Sequence, residues 1–358
     1  MNRTFAGPRR YIQSAGVLAQ VGDETSRHGR SAFVIADDTV WDLISETVET
    51  SFSSTDGTFD RAQFGGECST DEIDRLTDAA AEAGADIVVG IGGGKSLDTA
   101  KSVAARLDLP VGSVPTVASN DSPTSSISII YREDGAFADA EQHGRHPAFV
   151  LVDTAVIAQA PTRWFVSGIG DALATWYEAK TTWESGGTTV FDDRPTYTGR
   201  ALSRTCHQLL REHAEGAVRA VETGSVTESV EAVTESTILL SGLGFENGGL
   251  AAAHAIHDGL TTLPETASAT HGEKVTVGLL AQLLLEGAPD ETIDDVVGFA
   301  ESVGLPTGLA DIGVNDPSDA KLREVGRLAT APEEPMTNMS ADVSPEQVAD
   351  ALRVLDDL

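Results

Sequence analysis

Two rhythms of apolar and polar residues divide the chain. Up to about residue 150, short β-branched runs alternate with stretches in which apolar residues recur every three or four positions. Residues 31–37, 86–92, 111–116, 126–131 and 148–153 read as strands bounded by Gly, Pro, Asp or Asn, with helical spacing over 70–83 and 96–107. This alternation predicts a parallel sheet covered by helices. Beyond residue 161 the strand signals stop, and 163–180, 198–215, 227–243, 250–260, 273–286 and 292–303 carry helical spacing, while 184–195 reads as a loop. The expected organisation is an α/β domain over 1–162 with a Rossmann-like parallel sheet, followed by an all-α domain over 163–358.

Composition narrows the setting. A chain of 358 residues that is 41% hydrophobic can bury two cores. It has no apolar run of 18 residues and no basic segment followed by an apolar stretch at its start, so a soluble, non-exported protein is expected. Cys68 and Cys206 are too few for a disulfide framework and read as small buried apolar residues. The formal charge of −32 is spread along the whole sequence. Such a field repels nucleic acid and anionic lipid, so neither is expected as a partner. Molar salt, with a Debye length of about 3 Å, would screen the self-repulsion, which points to a salt-rich cytoplasm.

Three segments carry candidate chemistry. The run Gly-Ile-Gly-Gly-Gly-Lys-Ser-Leu-Asp at 90–98 follows a strand and opens a helix. It fits neither standard phosphate loop, because Val89 and Lys95 stand where each pattern needs glycine. Glycines there still let backbone approach a diphosphate at a helix N-terminus, and a plain tight turn would look the same. Asp37, at the end of the first predicted strand, can accept from a ribose and repel a 2′-phosphate, or simply close a turn. The segment Gly-Asp-Ala-Leu-Ala-Thr at 170–175, with His254, His257 and His271 downstream, offers a carboxylate and imidazoles suited to a divalent metal. His254 and His257, one helical turn apart, would equally suit a buried or capping pair.

Six co-linear motifs then carry a resemblance: 90–98, Pro-Thr-Val-Ala-Ser-Asn-Asp-Ser-Pro at 115–123, Gly-Ile-Gly-Asp-Ala-Leu-Ala at 168–174, Ser-Gly-Leu-Gly-Phe-Glu-Asn-Gly-Gly at 241–249, Ala-His-Ala-Ile-His at 253–257 and His-Gly-Glu-Lys at 271–274. Over roughly residues 28–285 the chain resembles the glycerol dehydrogenases of the iron-containing, metal-dependent alcohol dehydrogenase superfamily. That resemblance implies the dehydroquinate synthase-like fold and NAD-dependent oxidation of glycerol to dihydroxyacetone. It implies one Zn2+ per subunit on Asp171, His254 and His271, residues that would also bind substrate together with Asp121. NAD contacts would fall on Asp37, Gly93, Gly94, Lys95, Ser96, Thr116, Ser119, Ser125, Ile127 and Tyr131. Asp121 and His257 are the expected catalytic side chains, His257 as a hydrogen-bond donor or proton-relay member beside the metal. The resemblance also implies a small-molecule polyol partner and a homo-oligomer, often an octamer.

Asn120 and Ser122 depart from the Ser-Thr-Asp-Ala-Pro usual in the resembled family. Thr175 stands where its iron-using branch carries a further histidine, which favours a three-ligand zinc site. Glycerol-1-phosphate dehydrogenase and dehydroquinate synthase are the sister alternatives, and both need cationic groups at the substrate. The segment 113–128 has no Lys or Arg, leaving a distant residue such as Arg163 to supply one. A cleft between the two domains is the expected place for the active site.

Overall fold

The computed structural model describes residues 1–132 and 137–355. Positions 133–136 and 356–358, parts of the two expected domains, lie outside the described residues. The chain forms two compact units. One holds Gly7–Pro161 with Ala220–Leu239, and the other holds Met1–Ala6, Thr162–Arg219 and Leu240 onward.

The α/β unit contains β1 (Tyr11–Gln13), α1 (Val21–Ser26), β2 (Ser31–Ala36), α2 (Asp38–Ser53), β3 (Thr58–Gln63), α3 (Thr70–Glu82), β4 (Ile87–Gly92), α4 (Gly94–Arg106), β5 (Val111–Pro115), β6 (Ile127–Tyr131), β7 (Phe137–Gln142), β8 (Phe149–Val152) and α5 (Thr154–Gln159). Six strands pair in parallel in the order β1-β8-β5-β4-β2-β3. The central strands β4, β5 and β8 are buried along their whole length, which is why they read as continuous apolar runs. Two apolar layers cover the sheet. One sets Val34, Ile91 and Leu151 with Ile44, Val48 and Phe52 of α2; the other sets Ile35 and Val88 with Ile73 and Leu76 of α3 and Val103 of α4. Cys68 lies in the second layer, its thiol pushed up to about 12 by burial. Gly112 allows Phe149 to cross β5, since any Cβ there would overlap that ring.

The structure corrects one strand assignment. Residues 127–131 do form a strand, but β6 pairs antiparallel with β7 in a separate two-stranded sheet. Its alternating burial is that of a ribbon covered on one face, and Ser128 on that face donates to the Asp98 carbonyl of α4 at 2.8 Å. The edge strands escaped the pattern for physical reasons. β3 reads Thr-Phe-Asp-Arg-Ala-Gln because it faces solvent, and β1 is only three residues long.

The helical unit is built on α6 (Thr162–Ser185) and α7 (Tyr197–Val221), whose last two residues pass into the α/β unit together with α8 (Glu228–Glu235). It continues with α9 (Ser241–Gly248), α10 (Ala252–Leu260), α11 (His271–Leu285), α12 (Asp290–Val303), α13 (Asp319–Ala329) and α14 (Pro345–Val354). The helix expected over 227–243 is interrupted: α8 and α9 are separated by a π-helical turn, Ser236–Leu240. No strand follows Val152 among the described residues, and no described helix is long and apolar enough to cross a membrane.

Two glycines bring α11 against its neighbours. A Cβ on Gly272 would overlap the Ser167 carbonyl oxygen of α6, and one on Gly278 would overlap the Ala253 carbonyl oxygen of α10. Backbone thus meets backbone, and side chains at these helix starts are brought within reach of one another. Gly272→Ala is expected to cost about 1–3 kcal/mol through forced separation of α6 and α11. Thermal unfolding in molar KCl should show a lowered midpoint; an unchanged midpoint would mean the helices do not need this approach.

Candidate metal centre

Asp171, in the middle of α6, is fully buried. A carboxylate so placed must be paired. Its Oδ1 lies 3.3 Å from Nε2 of His254 and 3.1 Å from Nε2 of His271. One ligating atom from each of the three residues falls within 4.8 Å of the others. His254 sits in the first turn of α10, and His271 is the first residue of α11. A capping box, in which Thr270 accepts from Glu273 N–H and Glu273 accepts from Thr270 N–H, fixes the start of α11.

The remaining ring nitrogens are committed to hydrogen bonds, and these set the tautomers. Glu178, fully buried two turns after Asp171, accepts from the backbone N–H groups of Ala251 and His254 at 2.9 and 3.0 Å. Its other oxygen stands 2.6 Å from His254 Nδ1 and accepts a hydrogen bond from it, which leaves Nε2 as the atom turned to Asp171. On the other side, Asp258 Oδ1 is 2.9 Å from His257 Nδ1, and His257 Nε2 is 3.0 Å from His271 Nδ1. With Asp258 accepting from His257, His257 accepts from His271, and Nε2 of His271 is likewise the atom turned to Asp171. The donor set therefore fits a divalent cation: one carboxylate and two imidazole lone pairs, each ring oriented by a further carboxylate.

The electrostatics follow. Burial would raise Asp171, yet His271 and His254 hold its carboxyl below the usual range. Burial would lower His254, and the carboxylates of Glu178 and Asp171 outweigh it, raising the ring well above its ordinary value. His257 is lowered to about 3 by burial and by His271, so it stays a neutral link. Glu334 is pushed up to about 8 by burial and by the charges of Asp258 and Glu333, and it hydrogen-bonds Asp258.

Sequence reasoning passed over Glu178, Asp258 and Glu334. The first had a readable signal, since it follows Asp171 by seven positions, which places both on one helix face. Glu334 has no local signal. Thr175 is buried with its hydroxyl 2.8 Å from that of Ser241, and Arg163 pairs with Glu273 at 2.7 Å and donates to the Ser268 carbonyl.

The cofactor candidates and Asp121 lie in the α/β unit. Asp37, Gly93 and Thr116 follow the carboxyl ends of β2, β4 and β5, where parallel sheets commonly bind ligands. Asp37 caps α2, its Oδ1 accepting from Val40 N–H at 2.9 Å. Gly92 has φ +150°, Gly93 caps α4, and Gly94 opens it. Lys95 pairs with Glu67 at 2.7 Å, its ammonium 4.8 Å from the Tyr131 ring centroid. Ser96 is buried, its hydroxyl 3.3 Å from the Ile91 carbonyl oxygen. The Ser125 hydroxyl and the Ile127 carbonyl both accept from Lys101, while Thr116, Ser119 and Asp121 are nearly buried.

Glu178→Gln retains the side chain's shape but removes its charge and one acceptor. Zinc affinity, measured by competition with a chromophoric chelator, is expected to fall about 10–100-fold. Wild-type affinity would show that Glu178 does not orient His254 for a metal.

Comparison with known proteins agrees with this geometry. The family described as iron-containing alcohol dehydrogenase matches residues 8–154. A glycolaldehyde reductase of Halobacterium salinarum is 45% identical over 100% of this chain and 98% of that protein. A glycerol dehydrogenase of Thermotoga maritima is also 45% identical, over 99% of this chain and 97% of its own. Among solved structures, a probable glycerol dehydrogenase from Sinorhizobium meliloti superposes with a TM-score of 0.94 at 41% identity, covering 99% of this chain and 98% of that one. With full-length relatives at this identity and this fold, the chain belongs to the iron-containing alcohol dehydrogenase family.

Proposed function

We propose that this chain is an NAD-dependent glycerol dehydrogenase that interconverts glycerol and dihydroxyacetone with one zinc ion per subunit. The observation that carries the reading is the convergence of Asp171, His254 and His271, with Nε2 of both rings turned to the carboxylate, in a chain 43–45% identical over nearly its whole length to several glycerol dehydrogenases. A bound zinc ion would supply a Lewis acid that eases loss of a hydroxyl proton, and bound NAD would take the hydride from the carbon that bears that oxygen.

The chain's own residues account for the rest. Glu178 keeps His254 in the metal-binding tautomer, and Asp258 does the same for His271 through His257. His257 and Asp258 thus form one hydrogen-bonded chain behind His271, with His257 the neutral hydrogen-bonding member beside the metal centre. Asp121 accepts from a polyol hydroxyl. The amides at the start of α4, freed of side chains at Gly93 and Gly94, receive the diphosphate. Asp37 keeps one carboxylate oxygen beyond its helix cap for a ribose and repels a 2′-phosphate, favouring NAD over NADP. Thr116, Ser119, Ser125, Ile127, Lys95, Ser96 and Tyr131 complete the cofactor surroundings.

Two observations support zinc and an uncharged substrate. Thr175, already bonded to Ser241, supplies no imidazole for a four-ligand iron site. Arg163 is engaged by Glu273, and 113–128 contains no Lys or Arg, which disfavours a phosphorylated substrate. A second reading rests on the Halobacterium relative. Glycolaldehyde and its reduced diol offer the same vicinal oxygen pair as dihydroxyacetone and glycerol, so reduction of glycolaldehyde is the alternative. The acidic composition supports a salt-rich cytoplasm as the setting, and the family resemblance supports a homo-oligomer, with an octamer as the proposed form.

The test is nucleotide turnover by chelated enzyme restored with zinc or with iron, in molar and in dilute KCl. Glycerol, ethylene glycol and glycerol 1-phosphate are offered with NAD or NADP, and dihydroxyacetone and glycolaldehyde with the reduced cofactors. Glycerol and dihydroxyacetone should turn over fastest with the NAD pair, on zinc, with activity fading as salt is removed. Preference for glycolaldehyde over dihydroxyacetone would favour the second reading, and turnover of the phosphate alone would reject both.

A further inference from the structure

The segment from β5 to β6 is tied to α4 through a buried ion pair that the metal chemistry does not use. Lys101 and Asp98, 3% and 4% exposed, lie one turn apart on α4 with Nζ and Oδ1 2.8 Å apart. Buried charges persist only when their hydrogen-bonding capacity is met. Here it is met almost entirely by the loop and by β6. Lys101 Nζ is 2.8 Å from the Ser122 carbonyl, 2.9 Å from the Ser125 hydroxyl, 2.6 Å from the Ile127 carbonyl and 3.3 Å from the Ser122 hydroxyl. Asp98 accepts from the Ser122 hydroxyl at 2.6 Å and from the Ile129 N–H at 3.1 Å.

Ser122 is gripped twice, its hydroxyl donating to Asp98 and its carbonyl accepting from Lys101. On the other side of Asp121, Asn120 lies against the opening of α4. A Cβ on Gly94 would come within 2.8 Å of the Asn120 amide nitrogen, and Asn120 Oδ1 accepts from Ser122 N–H at 3.3 Å. Asp121 is therefore flanked by one residue bonded to α4, Ser122, and one packed against that helix's opening at Gly94, Asn120. Both are positions at which this sequence departs from the Thr and Ala usual in the family it resembles. Alanine at 122 has no hydroxyl to offer Asp98.

We propose that Ser122, clamped by the Asp98–Lys101 pair, is a positioning residue that holds Asp121 for the polyol and thereby sets polyol affinity separately from cofactor affinity. This rests on the reading that Asp121 contacts substrate. The experiment compares zinc-loaded, full-length wild type, Ser122→Ala, Ser122→Thr and Asp121→Asn in molar KCl. It reads kcat and KM for glycerol, NADH affinity by fluorescence, and hydrogen exchange of the 119–125 amides. Ser122→Ala should raise KM for glycerol about three- to tenfold, the span a single net hydrogen bond supports. It should speed exchange in 119–125 and leave NADH affinity unchanged, and Ser122→Thr should restore both KM and exchange. With Asp121→Asn impaired, wild-type KM in Ser122→Ala, or a matching loss of NADH affinity, overturns the positioning role alone. Wild-type turnover in Asp121→Asn would overturn the substrate role of Asp121 and the proposal with it.

Discussion

Asp171 is a carboxylate with no exposure to solvent, and the organisation of the helical unit around it follows from having to satisfy that charge. Two imidazoles meet it; the buried Glu178 orients His254, and the half-buried Asp258 orients His271 through His257. None of these groups could take its place unless the helices approached closely, and Gly272 and Gly278 permit that approach. Packing, tautomer and ligand geometry are therefore one problem with one solution. The carboxylates of Asp171, Glu178 and Asp258 lie around three histidines, with Glu334, pushed up to about 8, hydrogen-bonded to Asp258 behind them, and a bound cation would add a charge complementary to these acids.

The α/β unit works by a different principle. Its candidate ligand groups are mainly backbone amides and small polar side chains at the carboxyl ends of parallel strands, where the chain reverses over glycine. Side-chain charge is used there chiefly to fasten elements together: Lys101 with Asp98 beneath the 116–126 loop, and Lys95 with Glu67 nearer the surface. The only lysine buried on α4 is thus spent on rigidity, while the opening of that helix is left to glycine.

Much of this was legible in the sequence. The central strands are long apolar runs because both faces are covered, and their helices show clean spacing, so the fold class could be read directly. β6 was read as a strand but not as a separate ribbon, since five residues of alternating burial do not say which sheet they join. The π turn at 236–240 was illegible because apolar spacing runs through it unbroken. The triad residues were visible through motif spacing, and Glu178 could have been seen from its interval to Asp171. Asp258 and Glu334 could not, because they lie 76 positions apart (334 minus 258) and meet only in the fold.

The most direct measurement is metal content together with zinc affinity for wild type and Asp171→Ala, by elemental mass spectrometry and chelator competition, with unfolding monitored in the same molar KCl. One tightly held zinc per chain in wild type, lost in the variant while the variant still folds, is the result expected if the three helices converge to hold a metal. Undiminished zinc in Asp171→Ala, or a wild type that binds none, would contradict it.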